Sequence, residues 1–273
     1  MEAVFISGFA RSGTSMIYRT LALHRDLWYV KGVPETFAFS RLKDSSQQLS
    51  YSQRQYLGGS ADRFREIVEE VSKEPEPHPT LAQCYFYAAS ERHPDQERLL
   101  EKTPSHIFKA DGIFSQFPKS KMVICARDPL DMVASYRKRL DAERALGKPE
   151  PEISWLDLNL DEMIEKFQST TKRIDDVLER YPDRTLLVAY EWLTAKPESN
   201  IQRIYRFLGL DPEGHNEQPL EKLKADKADK LHDSPITQNA SEVDKYLSAD
   251  EIAKVEQETQ RTRELYLSGF YEG

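Results

Sequence analysis

A glycine-rich segment near the start of the chain has the spacing of a phosphate-binding loop. It reads Gly8-Phe-Ala-Arg-Ser-Gly13-Thr14-Ser15 and lies between a short apolar run and a stretch with helical periodicity. Glycines let the backbone turn tightly, and the free amides at a helix start point at an anion. A nucleotide-hydrolysing P-loop has lysine where this chain has Thr14, and here the cation is Arg11, inside the loop. The segment therefore predicts an anion site made of backbone amides and Arg11.

A second basic residue follows the clearest strand-like segment. The apolar run at 121–126 ends at Arg127, and Ser135 stands eight residues further on, in a helix predicted to begin at Pro129 with Asp128 as its N-cap. A guanidinium offers phosphate two parallel hydrogen bonds. A magnesium-dependent P-loop enzyme would need a carboxylate at such a strand end instead. The pattern thus predicts two anion sites and no metal site.

These two segments together resemble the signature motifs of the sulfotransferase superfamily. Residues 5–15 resemble its 5′-phosphosulfate loop in the arginine-bearing form, and residues 123–135 resemble its 3′-phosphate motif. Residues 101–104, Glu-Lys-Thr-Pro, match a stretch of many bacterial and carbohydrate-type members. Residues 190–210 resemble the segment after the family's late strand, in which the tyrosine, here Tyr190, can approach the adenine. The Arg-Lys-Gly closing motif of cytosolic small-molecule members is not found.

The resemblance implies in-line transfer of a sulfuryl group from 3′-phosphoadenylyl sulfate (PAPS) to an acceptor hydroxyl, with adenosine 3′,5′-bisphosphate (PAP) as product and no metal. The residues it implies for donor binding are Arg11, Ser12, Gly13, Thr14, Ser15, Arg127, Ser135 and Tyr190. Stabilising the charge that develops on the leaving 5′-phosphate is expected to be the largest catalytic contribution. The loop amides and Arg11 would provide it, and Lys102 would reach the same oxygens.

Two residues compete for the role of general base toward the acceptor hydroxyl. Glu35 follows the second predicted strand, in a place that resembles the catalytic glutamate of tyrosylprotein and heparan-type sulfotransferases. His106 resembles the histidine in the Lys-Thr-His order of cytosolic members, with two extra residues before it, and histidine suits a base at neutral pH. Their structural alternatives are a carboxylate and a hydrogen-bonded histidine, each at a helix start. Both stay candidates.

Strand-like and helical segments alternate along the chain, which predicts an α/β, P-loop-like three-layer fold with a central parallel sheet flanked by helices. In such folds ligands bind beyond the carboxyl ends of the strands. We expect a single domain over residues 1–273, with a long helix over about 155–181 and lid segments at 41–95 and 138–155. Aromatic residues in the first lid segment either line an acceptor pocket or pack helices together.

Composition excludes several classes of protein. The formal net charge of −8 argues against nucleic acid or a long polyanion as a partner. No apolar run is long enough for membrane insertion, and the two cysteines form no CxxC pair. These features predict a cytoplasmic location and a small-molecule or carrier-linked hydroxyl acceptor. The abrupt start fits either a short natural protein or a domain cut from a longer one, and the oligomeric state is not predicted.

Two other functions remain open from the sequence. One is a P-loop-type kinase of a small hydroxyl compound, which would need an unusual magnesium site because lysine is missing at position 14. The other is a non-catalytic nucleotide-binding module, in which mutation of both Glu35 and His106 would leave no activity to lose.

Overall fold

A computed structural model of the protein describes residues 2–29, 35–42, 49–59, 61–91, 98–214 and 241–269. Within these ranges five parallel strands form one sheet in the order β2-β3-β1-β4-β5. The strands are β1 (Glu2–Gly8), β2 (Leu27–Trp28), β3 (Arg98–Lys102), β4 (Lys121–Ala126) and β5 (Thr185–Ala189).

The helices of the described ranges surround this sheet. They are α1 (Thr14–Leu21), α2 (Ala38–Arg41), α3 (Tyr51–Tyr56), α4 (Asp62–Val71), α5 (Leu81–Ser90), α6 (Ala110–Gln116), α7 (Pro129–Ala145), α8 (Glu150–Ile153), α9 (Leu160–Arg180), α10 (Tyr190–Ala195), α11 (Pro197–Leu208), α12 (Val243–Tyr246), α13 (Ala249–Glu258) and α14 (Gln260–Ser268). Short 3₁₀ helices cover Pro104–Lys109 and Pro182–Arg184.

Alternate side chains of β1 enter two separate apolar clusters, one on each face of the sheet. Val4 and Ile6 pack with residues of α1 and α11. Phe5 points the other way, into a cluster that includes residues of α5, α9 and α14, and its ring lies 6.2 Å from that of Phe86. Burying such a side chain is worth about 1.5–3 kcal/mol, so both faces hold helices firmly. The predicted three-layer α/β fold is confirmed.

Helix starts follow the local capping chemistry. Asp128 accepts a hydrogen bond from the amide of Leu130 at 2.9 Å, and Pro129 occupies the first turn of α7, as predicted. The long helix expected from residue 155 begins later, at Leu160, because Asn159 and Glu162 form a reciprocal capping box there.

Aromatic residues of the first predicted lid segment mostly pack helices together. Tyr56, Phe64, Tyr85 and Phe86 are fully buried, whereas Tyr87 is half exposed. The role of 41–95 and 138–155 as lids stays a prediction. Cys84 and Cys125 are both buried, free thiols. In the described part of the chain, no helix combines the length and the apolar character that a membrane crossing requires.

Candidate functional site

The turn after β1 is pressed against the neighbouring strand β4. Gly8 has φ 119°, and a Cβ atom there would lie 2.3 Å from the backbone oxygen of Cys125. The amide of Phe9 donates to the same oxygen at 3.1 Å. Ser12 is buried, and its hydroxyl donates to the backbone oxygen of Phe9 at 2.6 Å. The Ser12 hydroxyl therefore holds the shape of the loop, which leaves its backbone amide as the group to face an anion.

The loop leads into α1 through a second left-handed glycine. Gly13 has φ 90°, and a Cβ atom there would lie 2.6 Å from Cδ2 of Tyr190. The helix begins at Thr14, so the amides of Thr14 and Ser15 have no acceptor within the helix. Thr14 is buried and Ser15 is exposed. The close contact brings the predicted adenine-side tyrosine directly against the phosphate loop.

Arg11 is held in a strained conformation with its guanidinium next to α7. Its φ of 69° lies in the left-handed region, which costs a non-glycine residue about 1–2 kcal/mol. Its Nε donates to Oγ of Ser135 at 3.2 Å. Burial, followed by repulsion from Arg139 and Arg127, lowers the pKa of Arg11. A bound anion would relieve that repulsion.

Arg127 lies across the loop from α1, where β4 ends. Its guanidinium stacks over the ring of Tyr190 at 4.2 Å, and Nη1 donates to the backbone oxygen of Arg11 at 3.4 Å. The side chain is only 13% exposed, and its buried Nε has no hydrogen-bond partner among the described residues. The nearest carboxylate oxygen, Oε1 of Glu191, is 3.9 Å from it. Since buried donors are normally paired, this geometry fits a phosphate beside the loop.

Lys102 and Glu35 form an ion pair on the other side of β1. The parallel register places Lys102 opposite Ile6, so the end of β3 lies beside the start of the phosphate loop. Nζ of Lys102 is 2.5 Å from Oε1 of Glu35. The lysine side chain is 3% exposed and the glutamate side chain 36% exposed. A carboxylate that solvent can reach is thus linked to a buried cation at the sheet edge.

Glu101 is a functional candidate that the sequence reasoning did not assign. It is fully buried, and its Oε1 accepts hydrogen bonds from the hydroxyls of Thr36 at 2.9 Å and Thr103 at 2.5 Å. Its Oε2 lies 3.0 Å from Nδ1 of His106. Burial opposes ionisation, but the nearby His106 and these hydrogen bonds outweigh it and hold the pKa of Glu101 below its usual range. A weak signal was present, because Glu101 directly follows the apolar pair Leu99-Leu100 in β3, and a carboxylate that is buried there needs hydrogen-bond partners.

His106 lies in the core beneath the site. Its ring makes edge contacts with Phe39 and Phe5, with centroids 5.1 Å and 6.4 Å away. A carboxylate oxygen only accepts, so an ionised Glu101 takes this hydrogen bond from Nδ1. Nε2 is buried and has no hydrogen-bond partner in the part of the chain that the structure describes.

Two further side chains, those of Glu191 and Tyr136, lie next to predicted site residues. Glu191 accepts a hydrogen bond from the amide of Asp128 at 3.2 Å, and burial raises the pKa of its carboxyl. Tyr136 is buried next to Ser135, and its pKa is raised to about 12, mainly by burial. Arg11 is among its charged neighbours and opposes the shift. Each follows a predicted site residue directly in sequence, which was the only available signal.

The structure brings all eleven predicted positions to one region, at the carboxyl ends of the strands. The loop, Arg11, Arg127, Ser135 and Tyr190 form one side of this region, the side predicted to bind anions, and the ion pair of Glu35 with Lys102 forms the other. His106 belongs to the layer below. Among the described residues, no three His, Cys, Asp or Glu side chains come together in a way that could hold a metal ion.

Two known proteins are similar in sequence to part of this chain. The chain is 28% identical over 120 residues to omega-hydroxy-beta-dihydromenaquinone-9 sulfotransferase Stf3 of Mycobacterium tuberculosis, an alignment that covers 42% of this chain and 29% of Stf3. It is 23% identical over 231 residues to nodulation protein NoeE of Sinorhizobium fredii, covering 77% of this chain and 50% of NoeE. The matched part is therefore half or less of each relative's length.

A solved structure and a family profile also match this chain. The sulfotransferase domain from the Synechococcus PCC 7002 olefin synthase superposes with a TM-score of 0.63 at 20% identity, covering 100% of this chain and 96% of that domain. This likeness concerns the fold. The profile of the sulfotransferase family matches residues 3–214. Because that match spans most of the chain, including every residue of the site described above, the chain belongs to the sulfotransferase family.

Proposed function

We propose that the chain transfers the sulfuryl group of PAPS to an acceptor hydroxyl, with Glu35 as the general base. The observation that carries the proposal is the buried Nε of Arg127 beside the phosphate loop, which has no hydrogen-bond partner among the residues that the structure describes. It supports a second phosphate site next to the first, and a nucleotide with phosphates at both its 3′ and 5′ positions meets that requirement.

In this proposal the anion-binding side holds the donor. The loop amides, Arg11 and Thr14 bind the 5′-phosphosulfate, and Arg127 with Ser135 binds the 3′-phosphate. Each charge-assisted hydrogen bond contributes about 1.5–3 kcal/mol. The stacking of Arg127 on Tyr190 at 4.2 Å supports a shared surface for the adenine and the 3′-phosphate.

We assign the proton transfer to the side of the site that is formed by Glu35 and Lys102. Glu35 takes the proton of the acceptor hydroxyl while the acceptor oxygen bonds to sulfur. The bond between sulfur and the bridging oxygen of the 5′-phosphate breaks, and PAP leaves with that electron pair. Lys102, Arg11 and the loop amides stabilise the charge on the leaving oxygen. The 2.5 Å contact of Lys102 with Glu35 supports this arrangement, because Lys102 ends the strand that pairs with β1, and β1 leads into the loop.

Burial favours Glu35 over His106 as the base. The Glu35 carboxylate is partly exposed, so an acceptor hydroxyl can approach it. His106 is fully buried and uses Nδ1 to bind Glu101. We therefore assign His106 to orienting Glu101.

The acceptor is proposed as a small alcohol, a phenol or a carrier-linked hydroxyl. The name of Stf3 specifies a hydroxylated menaquinone as its substrate, which supports an organic alcohol here. The net charge of −8 supports an acceptor other than nucleic acid or a long polyanion. A single domain, the two lid segments and a cytoplasmic location remain predictions.

The first experiment compares donor binding with turnover. Wild-type protein is titrated calorimetrically with PAP, 5′-AMP and ATP–magnesium, and is then assayed with radiolabelled PAPS against phenol, octanol and a hydroxyacyl-pantetheine. We expect a clear preference for PAP and transfer of label to one acceptor. A preference for ATP–magnesium with indifference to the 3′-phosphate would refute the proposal in favour of a kinase. PAP binding without transfer to any acceptor would favour a non-catalytic nucleotide-binding module.

The assignment of the base is tested with Glu35→Gln. Loss of a general base should lower kcat by about 10²–10⁴-fold, while the Kd for PAP stays within about threefold because the donor is held elsewhere. Glu251→Gln is the matched control, since Glu251 is also a partly exposed carboxylate paired with a cation, Arg137, but lies on α13. An unchanged kcat in Glu35→Gln would exclude Glu35 as the base.

A further inference from the structure

A buried polar network lies beneath the ion pair of Glu35 and Lys102. We define the Glu101 network as Glu101, Thr36, Thr103 and His106. We propose that Glu101 is a positioning residue for the transfer reaction, acting through Thr36 on the base Glu35 and through Thr103 on Lys102. The inference rests on the proposed function and adds a residue to it.

The geometry ties both active-site side chains to a single oxygen atom. Thr36 follows Glu35 directly in the chain, and Thr103 follows Lys102. Oε1 of Glu101 accepts from the Thr36 hydroxyl at 2.9 Å and from the Thr103 hydroxyl at 2.5 Å. The backbone amide of Thr36 donates to the same oxygen at 3.3 Å. One carboxylate oxygen therefore sets the distance between the two chain segments whose side chains meet at 2.5 Å.

Burial makes this arrangement rigid. All four members of the network are fully buried, and a buried carboxylate is costly unless its oxygens are hydrogen-bonded. The second oxygen of Glu101 is held by His106 at 3.0 Å. Gln53 extends the network, donating from Nε2 to the backbone oxygen of Thr36 at 2.9 Å. The segment that carries Glu35 is thus anchored from two sides.

The backbone next to Thr36 is strained, and contacts with the Glu101 network hold it in that conformation. Phe37 has φ 52°, a left-handed conformation that is unfavourable for a bulky residue. Its amide contacts Oγ1 of Thr103 at 3.4 Å, and α2 begins immediately after it. Strain of this kind persists where the surroundings over-determine the conformation, and it clusters at functional sites. The turn directs the chain away from the site just after Glu35.

The test replaces the hydroxyl of Thr36 and leaves Glu35 and Lys102 unchanged. Thr36→Val keeps the shape of the side chain but removes the bond to Glu101. We expect kcat for the best acceptor of the panel above to fall by about 10–100-fold, because small misplacements of a catalytic group cost that much. The Kd for PAP should stay unchanged. Thr36→Ser, which retains the hydroxyl, should restore most of the lost kcat.

A matched control separates positioning from general stability. The hydroxyl of Thr171 is also buried, donating to the backbone oxygen of Phe167 at 2.8 Å and contacting Thr262 at 2.8 Å, between α9 and α14. Thr171→Val should lower Tm about as much as Thr36→Val does and leave kcat unchanged. Glu101→Gln is a third variant, and we expect it to lower kcat as Thr36→Val does. If Glu101→Gln does not fold, the kcat of Thr36→Val alone tests the proposal.

The contrary outcomes are distinct. Equal losses of Tm in the two valine variants, with kcat unchanged in both, would reduce the Glu101 network to a structural role and overturn the proposal. So would failure of Thr36→Ser to restore kcat, or a loss of PAP binding that parallels the loss of kcat. Failure of the proposed function itself would be seen earlier, in a wild-type protein that neither binds PAP nor transfers label.

Discussion

Replacing Arg127 with alanine should remove most of the preference that the chain shows for PAP over 5′-AMP. The two ligands differ only by the 3′-phosphate, so comparing them isolates the contacts made to that group. The Arg127 guanidinium is 13% exposed and its Nε lacks a hydrogen-bond partner among the described residues. It is therefore the group best placed to meet the added phosphate.

The size of the effect follows from the hydrogen bonds at stake. A fork of two charge-assisted bonds would contribute about 3–6 kcal/mol before competing interactions are considered. Part of this is offset, because Glu191, 3.9 Å away, already attracts the guanidinium and water must be displaced. We expect a net loss of about 2–3 kcal/mol, which corresponds to a fall of roughly 30- to 150-fold in the PAP to 5′-AMP affinity ratio.

The assay is calorimetric titration of both ligands into the wild-type protein and the Arg127→Ala variant. The four dissociation constants form a cycle that cancels any uniform weakening of the site. Arg127→Lys keeps the charge but loses the fork, so its ratio should lie between the other two. Arg173→Ala is the matched control, because Arg173 is similarly buried, at 16% exposure, but pairs with Asp111 away from the loop.

An equal loss of affinity for both ligands in Arg127→Ala would refute this reasoning. It would mean that the arginine supports the loop, through its contacts with Tyr190 and the backbone of Arg11, and does not read the 3′-phosphate. A ratio unchanged from wild type, with both affinities intact, would place the 3′-phosphate elsewhere.

Two predictions concern stability. Gly13→Ala should lower the free energy of unfolding more than Gly59→Ala, because both glycines have φ near 90°, which costs alanine about 1–2 kcal/mol, but only Gly13 would also clash with Tyr190. Urea unfolding measures this, and equal losses would contradict it. The pKa of Glu251 is lowered from 4.5 to about 2, and the largest cause is hydrogen bonding from Arg137. The resulting stability is fully present above about pH 4.5 and is lost as pH falls toward 2, so the Tm difference between wild type and Arg137→Met should shrink over that window. A difference independent of pH would contradict it.

Local chemistry allowed much of this structure to be predicted from the sequence. The phosphate loop depends on glycines at set positions, and the start of α7 on an Asp-Pro cap, so both can be read from a few neighbouring residues. The parallel sheet followed from the alternation of strands and helices. Because the carboxyl ends of parallel strands meet at one edge, Arg11, Lys102 and Arg127 could be expected at the same site.

The choice between Glu35 and His106 could not be made in that way. It depends on which side chain is buried, and burial is decided by residues far apart in the chain, such as Phe5 and Phe39 around the histidine. The aromatic residues of the predicted lid presented the same difficulty. A pattern of apolar spacing is identical for a ligand pocket and for helix packing, and only the packed structure shows that Tyr85 and Phe86 belong to the core.

The sequence by itself determined the family and the fold class, because these rest on short motifs and on periodicity. It also predicted the residues that are proposed here to face a donor. Tertiary structure decided the surroundings of Glu101, from which we infer its positioning role. Its partners lie on the chain at position 36 and at positions 103 and 106. The strand that precedes Glu35 in the chain is β2, and its pairing with β3 brings the two parts of the chain together. What a buried carboxylate does depends on the hydrogen-bond donors around it, and folding brings those donors together.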